Sequence, residues 1–323
     1  MFFAGKRVLV TGAAGLVGSH LLKALHAQGA KIRATFLNRR PPLLEGVDYC
    51  MGADLTKREV CDEVVKDIDY IFLAAASTSG AAAINATPLI HVTPNILMNA
   101  QMLEAAYLAG VQKVMYVGST TGYPVTGRPY QEDDMFHGDP WDKYYPAGWM
   151  KRYTEILCRM YTEKLPRSMP SLVVRATNIY GPGDKFDPER SHFLPALIRR
   201  VVERQDPLVV WGTGEDLRDI IYVDDMIDAM LMAMEKLDRW EPLNIGSGVS
   251  KSIKEILAVL LRVEDYEHVK LIFDTTKPST VPRQVVDCTK AERVLGFKAK
   301  MPLEEGIRLT VAWYRKHLAS CVG

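Results

Sequence analysis

The chain has no long block of like charge: its 40 Lys and Arg nearly cancel its 39 Asp and Glu, for a formal net charge of +1. A stripe able to follow a phosphate backbone or lie on an anionic bilayer is missing, which argues against nucleic acid and membrane surfaces as partners. Cysteine is scarce. Cys50, Cys61, Cys158, Cys288 and Cys321 are an odd number, widely scattered, with none of the close spacings that ligate zinc or form a redox pair. Reduced thiols, no metal centre and a cytoplasmic location are therefore expected. Long apolar runs are also lacking near the start: residues 8–10 run straight into Thr11, too short for a signal-peptide core or a membrane span. Neither an internal repeat nor a low-complexity segment interrupts the chain.

What is there is an alternation of elements. At 323 residues the chain exceeds the size at which a single core usually stops growing, so two structural units are expected. Short β-branched runs at residues 7–11, 31–36, 70–74, 113–117 and 171–175 alternate with helical patterns at 16–28, 56–65, 95–109 and 150–163. Parallel strands linked by crossover helices follow, the doubly wound α/β arrangement. After Arg175 the rhythm changes. Gly181-Pro182-Gly183-Asp184 breaks the chain, a helix is predicted over 193–202, and short segments follow at 208–211 and 219–222. A further strand and turn lie at 243–248, and helices near 252–261 and 303–317 close the chain.

The first strand leads into Thr11-Gly12-Ala13-Ala14-Gly15-Leu16-Val17-Gly18 and then a helix. In that position the glycines permit a tight turn, close approach of backbone to a pyrophosphate, and close helix–strand packing, while the helix N-terminus favours negative charge. A nicotinamide dinucleotide is the expected ligand; the bland alternative is a structural turn. Binders of NAD commonly end the second strand with an acid that accepts from the ribose hydroxyls. Phe36-Leu37-Asn38-Arg39-Arg40 has no acid and two guanidinium groups, which suit a 2′-phosphate, so NADP is expected over NAD. Two solvated surface arginines are the competing reading.

The spacing T-G-x-x-G-x-x-G resembles the extended short-chain dehydrogenases, and later segments agree over nearly the whole chain. Asp54-Leu55 resembles that family's adenine-contacting pair, and Leu73-Ala74-Ala75-Ala76 the strand end beneath the cofactor. The segment Gly118 to Pro124 resembles the catalytic-serine strand end, with Ser119 in the catalytic position. Arg175-Ala176-Thr177-Asn178-Ile179-Tyr180-Gly181-Pro182 is similar to the segment that marks nucleotide-sugar members. The likeness is greatest to members that carry out 3,5-epimerisation and 4-reduction of GDP-linked sugars. It is carried by Ser191-His192 and the helix through Arg200, by Val210-Trp211-Gly212-Thr213-Gly214, by Arg218, by Val223-Asp224-Asp225-Met226, and by Lys277-Pro278 with Pro282-Arg283.

The resemblance implies a Rossmann-like dinucleotide-binding domain over residues 1–180, with 219–248 returning to it, and a smaller C-terminal α/β substrate domain formed by 181–218 and 249–323. It implies cofactor contacts at Gly12, Gly15, Leu16, Val17, Asn38, Arg39, Asp54, Leu55, Ala74, Ala75 and Lys151. Catalytic positions are Ser119, Thr121, Lys151 and His192, the last as an acid in epimerisation. A nucleotide-sugar substrate would be held by Thr120, Asn178, Arg200, Trp211, Arg218 and Arg283, the Arg218 and Arg283 side chains on its diphosphate. For His192 and Arg200, plain structural or surface roles compete. The helices at 95–109 and 150–163 correspond to those that pair across a two-fold axis in the family, which implies a homodimer; solvated outer faces are the alternative.

One residue is missing from this pattern. The family carries a Tyr four residues before a Lys on one helix, so that the side chains meet on one face. The lysine holds the nicotinamide ribose and lowers the phenol's pKa, and the phenol moves a proton to or from the sugar oxygen. Here Gly148-Trp149-Met150-Lys151 fits, but position 147 is Ala. Tyr145 would lie about 120° from the Lys151 face, Tyr144 about two turns away, and Pro146 is expected to bias Tyr145 out of helical geometry. Three explanations stand: an engineered Tyr-to-Ala change, a natural relative with another proton carrier, or a member that has lost catalysis. The intact Ser119, Thr121 and Lys151 favour the first. Functionally, an NADP-linked oxidoreductase at C4 of a nucleotide-linked hexose competes with a 4-epimerase or decarboxylase that retains NAD, and with a non-catalytic dinucleotide-binding regulator.

Overall fold

A computed structural model describes residues 1–78, 87, 89–188, 191–276 and 281–321, with side chains to residue 318. Its centre is a seven-stranded parallel sheet. Strands β1 (Arg7–Thr11), β2 (Lys31–Phe36), β3 (Asp48–Met51), β4 (Tyr70–Leu73), β5 (Lys113–Ser119), β6 (Ser171–Ala176) and β11 (Leu243–Ile245) are ordered β11-β6-β5-β4-β1-β2-β3. The chain reverses direction across the sheet between β1 and β4, and in such sheets ligands bind outside the carboxyl ends of the strands at that point.

Strand alternation sorts the apolar side chains into two layers. Val8 and Val10 face one side with Leu21, Leu22 and Leu25 of α1 (Leu16–Ala27), in the larger core that also takes in the C-terminal elements. Leu9, Ile71 and Leu73 face the other side, against Met102, Leu103 and Ala106 of α3 (Leu89–Leu108) and Val64 of α2 (Arg58–Val64). Both faces are thus buried, as continuous apolar runs in parallel strands require. Helix α4 (Tyr145–Glu163) packs beside α3. Helix α6 (Val223–Lys236) lies against α1 and against β5 and β6.

The remaining elements form small sheets at the carboxyl edge. Strand β7 (Asn178–Tyr180) pairs in parallel with β10 (Ile220–Tyr222), and β8 (Leu208–Trp211) with β13 (Leu271–Asp274). Strand β9 (Leu217–Arg218) lies between β12 (Lys251–Ser252) and β14 (Arg283–Gln284). Helices α5 (Phe193–Val202), α7 (Ile253–Val263) and α9 (Leu303–Cys321) pack on one another, and the short α8 (Thr289–Leu295) lies beside β11.

The structure moves two helix starts: α3 begins at Leu89, six residues before the expected Asn95 and with Pro94 inside it, and α4 also begins early. Tyr145 is helical (φ −47°, ψ −55°) despite the following proline, and α4 begins there, five residues before the expected start at Met150. The pyrrolidine sits in the first turn, where no intrahelical N–H is needed, and its fixed φ suits the helix. Strands β3 and β13 and helix α8 were not expected from the sequence. Among the described residues, no helix is long and apolar enough to cross a membrane.

Candidate active site

The glycine turn is built so that only glycine fits. Gly12 has φ +66°, and a Cβ there would come within 2.6 Å of the Ala75 backbone. A Cβ on Gly18 would run into the Gly12 carbonyl. Thr11 Oγ1 accepts from the Ala74 and Ala75 amides, each at 3.1 Å, which fixes the end of β4 against the turn. Helix α1 starts at Leu16 after Gly15, which offers no side-chain cap, and has no acid in its first turn. Its leading amides and dipole are thereby left to an anionic ligand. These residues fit the pyrophosphate of a dinucleotide.

Gly18→Ala tests this directly. The helix would have to withdraw from the turn, so dinucleotide affinity measured by fluorescence titration is expected to fall by roughly tenfold or more, ~1.4 kcal/mol. Gly15→Ala, whose Cβ would sit 3.3 Å from the Gly12 carbonyl oxygen, should be milder. Unchanged binding by the Gly18 variant would remove the cradle from the argument.

Along the adjacent strand ends, the Ala53 amide donates to the Phe36 carbonyl at 3.2 Å, which sets Asp54 and the buried Leu55 beside the end of β2. Asp54 caps its own turn, accepting from Thr56 Oγ1 and N, and these bonds hold its carboxyl below the usual range. Asn38, Arg39 and Arg40 are exposed. No ion pair of either arginine occurs among the described residues.

Ser119 ends β5 and heads a 3-10 turn at Thr120–Gly122. Its Oγ accepts from the Thr121 amide at 3.2 Å and from Thr121 Oγ1 at 3.0 Å. These two bonds leave the serine its own O–H as a donor. The first turn of α4 presses on this loop: a Cβ on Gly148 would meet Thr121 O at 2.8 Å, and Arg152 Nε donates to Gly122 O at 2.7 Å. Lys151 therefore faces the same strand end, its Nζ donating to Val117 O at 3.2 Å and lying 5.0 Å from the Tyr116 ring centroid. Burial pushes its pKa down to about 8, against the opposing charge of Glu155. Ala147 lies one turn earlier and is buried.

Two tyrosines precede Ala147 and diverge. Tyr145 is exposed. Tyr144 is half-buried with its ring against Trp141; burial raises its phenol pKa while the Arg218 charge opposes this. Arg218 is itself buried, donating to Leu217 O at 2.7 Å and Asp216 Oδ2 at 3.3 Å. Thr120 Oγ1 accepts from Gln284 Nε2 at 2.8 Å, and Asn178 Nδ2 reaches Gln284 Oε1 at 3.5 Å and Asp219 O at 3.2 Å. Gln284, which the sequence did not single out, thus joins the serine turn to β7 and to the strand carrying Arg283.

His192 is the residue before α5 and is exposed. Nearby in the chain, the buried Asp184 carboxyl is pushed up to about 7 by burial. Arg200 donates to Val209 O at 2.7 Å, while Trp211 is exposed. Lys277 and Pro278 lie outside the described residues. Among the described residues, no group of three or more His, Cys, Asp or Glu could hold a metal, and Cys50, Cys61, Cys158 and Cys288 are free thiols.

Beneath the site lies a buried charge network that the sequence did not reveal. Glu155, one turn beyond Lys151, receives Arg175 Nη2 at 2.7 Å and Nε at 3.1 Å. Arg175 also donates to Tyr123 Oη at 2.9 Å and Glu132 O at 2.6 Å. Tyr123 Oη donates to Asn244 Oδ1 at 2.6 Å, and the Asn244 amide donates to Glu132 Oε1 at 2.8 Å. Helix α4, strands β6 and β11 and the segment before Asp134 are held by one connected set of bonds.

The chain matches the NAD dependent epimerase/dehydratase family over residues 8–246. It is 32% identical over 319 residues to the putative GDP-L-fucose synthase 2 of Arabidopsis thaliana, covering 97% of this chain and 92% of that protein. It is 30% identical over 324 residues to the GDP-L-fucose synthase of Escherichia coli (strain K12), covering 96% of each. The UDP-glucose 4-epimerase of Thermotoga maritima, solved with UDP-glucose, is similar in structure with a TM-score of 0.86 and 26% identity, covering 97% of this chain and 99% of that one.

Proposed function

Since the chain belongs to the NAD dependent epimerase/dehydratase family, we propose that it is an NADP-linked oxidoreductase acting at C4 of a GDP-linked hexose, with 3,5-epimerisation at the same site, and that Ala147 leaves it short of its usual proton carrier. The observation that carries this reading is that Ser119, held by Thr121, and Lys151, held by the Val117 carbonyl, lie at the same end of β5. The glycine cradle lies two strands away at the reversal point of the sheet.

In this reading the dinucleotide lies on Gly12, Gly15, Leu16 and Val17, with Ala74 and Ala75 beneath it, Asp54 and Leu55 at the adenine, and Asn38 and Arg39 at the 2′-phosphate. When bound, it supplies or accepts the hydride. Ser119, fixed by Thr121, polarises the sugar oxygen, and Lys151 fixes the nicotinamide ribose. His192 serves as the acid of epimerisation. Thr120, Asn178, Arg200, Trp211, Arg218 and Arg283 line the nucleotide-sugar side. The dinucleotide domain comprises residues 1–180 with 219–248, and the substrate domain 181–218 with 249–323. A second copy of the chain covers α3 and α4, where Trp149, Tyr153 and Ile156 form an exposed stripe at helical spacing beside exposed Leu97 and Leu108. The scattered free thiols suit a cytoplasmic location.

Binding is separable from chemistry, so ligand stabilisation tests the assignment. NADPH is expected to raise the thermal midpoint more than NADH, and a GDP-hexose to raise it further once NADPH is present, because each binds the native state. Replacing Arg39 and Arg40 together by Ala should remove the preference for NADPH, a loss of about 1.5–3 kcal/mol for a charge-assisted contact. A chain stabilised by neither dinucleotide would end this reading.

A further inference from the structure

We propose that Lys151 itself carries the proton in this chain, passing it through a water that stands where the phenol of residue 147 would otherwise reach. The proposal rests on the function given above and concerns what the site does with Ala at that position.

Geometry selects the lysine. Its Nζ donates to one protein acceptor, Val117 O, and its other near neighbour is the face of the Tyr116 ring. An ammonium has three donors, so two remain for ribose and water. Ala147 lies on the same face one turn earlier, and a methyl group there reaches far less deep into the cleft than a phenol. Neither neighbouring tyrosine stands in its place: Tyr145 is exposed, and Tyr144 precedes α4, its ring against Trp141.

The surrounding charges agree. On its own helix Lys151 feels Glu155, whose carboxylate is already engaged by Arg175 of β6; from β5 it is faced by the Tyr116 ring and the Val117 carbonyl. Burial therefore dominates and brings the ammonium to about 8, near the range in which a general acid works best at neutral pH. The Tyr144 phenol moves the other way, above its ordinary value. Reduction of the C4 carbonyl adds a hydride from the nicotinamide to carbon and a proton to oxygen. Lys151 gives up that proton through the water, is left as a neutral amine, and regains a proton from solvent.

The sign follows from the acid's role: turnover needs the protonated lysine and falls as pH rises through about 8. The test uses NADPH and a GDP-linked 4-keto-6-deoxyhexose. The chain should show a slow rate with that pH midpoint. Lys151→Arg, which keeps the charge but does not release a proton, should lower the rate by about 100-fold or more while NADPH affinity changes little. Heteronuclear NMR of lysine Nζ groups in the ligand-free protein supplies a readout apart from turnover: one signal should titrate near 8 and vanish in Lys151→Arg. Tyr144→Phe should leave the midpoint in place; its loss there would transfer the role to Tyr144. An Ala147→Tyr enzyme that turns over beside a chain with no rate at all, or with a rate indifferent to Lys151→Arg, would overturn the inference. No turnover by Ala147→Tyr would instead overturn the proposed function, and this inference with it.

Discussion

Replacing Ala147 by Tyr is expected to raise kcat for NADPH-linked reduction of a GDP-4-keto sugar by roughly 10²–10⁴-fold, the contribution typical of a positioned general acid, with KM changed only a few-fold. The restored phenol would stand one helical turn from Lys151 on the same face. Its pKa would be lowered by the adjacent ammonium, while Ser119 would stay fixed by Thr121. An interaction made only in the transition state changes kcat more than binding. Ala147→Phe supplies the ring without the hydroxyl and should gain nothing. Equal rates for the Ala and Tyr chains would show that no proton carrier is missing at this position.

The second large effect concerns stability. Arg175→Met should destabilise the protein by about 3–5 kcal/mol, because it strands the Glu155 carboxylate in the interior. Glu155 is wholly buried and Arg175 nearly so. Burial alone would lower the Arg175 pKa, yet the Glu155 charge and the Tyr123 bond outweigh it and raise the value. Urea denaturation measures the loss. A double replacement, Arg175→Met with Glu155→Leu, should recover much of it, since a paired charge replaced by apolar groups often costs little. A single variant within about 1 kcal/mol of the parent, the size of an exposed pair, would mean that the network contributes little.

The sequence made the sheet legible wherever both faces of a strand are apolar. Residues 8–10, 71–73 and 171–174 read as buried strands because parallel pairing leaves no solvated face. Strand β3 (Asp48–Met51) was missed for the opposite reason: it forms the sheet's edge, its side chains are partly or fully exposed, and no alternation marks it. Leu271 and Ile272 of β13 are likewise exposed. The start of α4 was misplaced because the preference of a residue before proline is a local rule, and the packing of Gly148 against Pro140 and Thr121 outweighed it.

The same distinction holds within the site. Gly12 was read from the spacing of its turn, and Ser119 and Lys151 from the likeness of short segments to a family; the structure brings the last two to the end of β5. Gln284 and Asn244 could not be read in either way. Their partners Thr120 and Tyr123 lie 164 and 121 residues away in sequence, and only the crossing of distant strands brings them together. Arg175 was legible as part of a recurrent segment, but its bond to Glu155 was not, because nothing in the order of residues says which buried acid a buried guanidinium will meet.

That bond has a practical outcome for anyone redesigning the enzyme. Ala147, Lys151 and Glu155 follow one another at four-residue steps down a single side of α4, ending at the wholly buried carboxylate. Thermostability screens that replace the inner pair with hydrocarbon would also retune the amine above it, so heat tolerance and pH optimum should drift together in any directed-evolution campaign along this row.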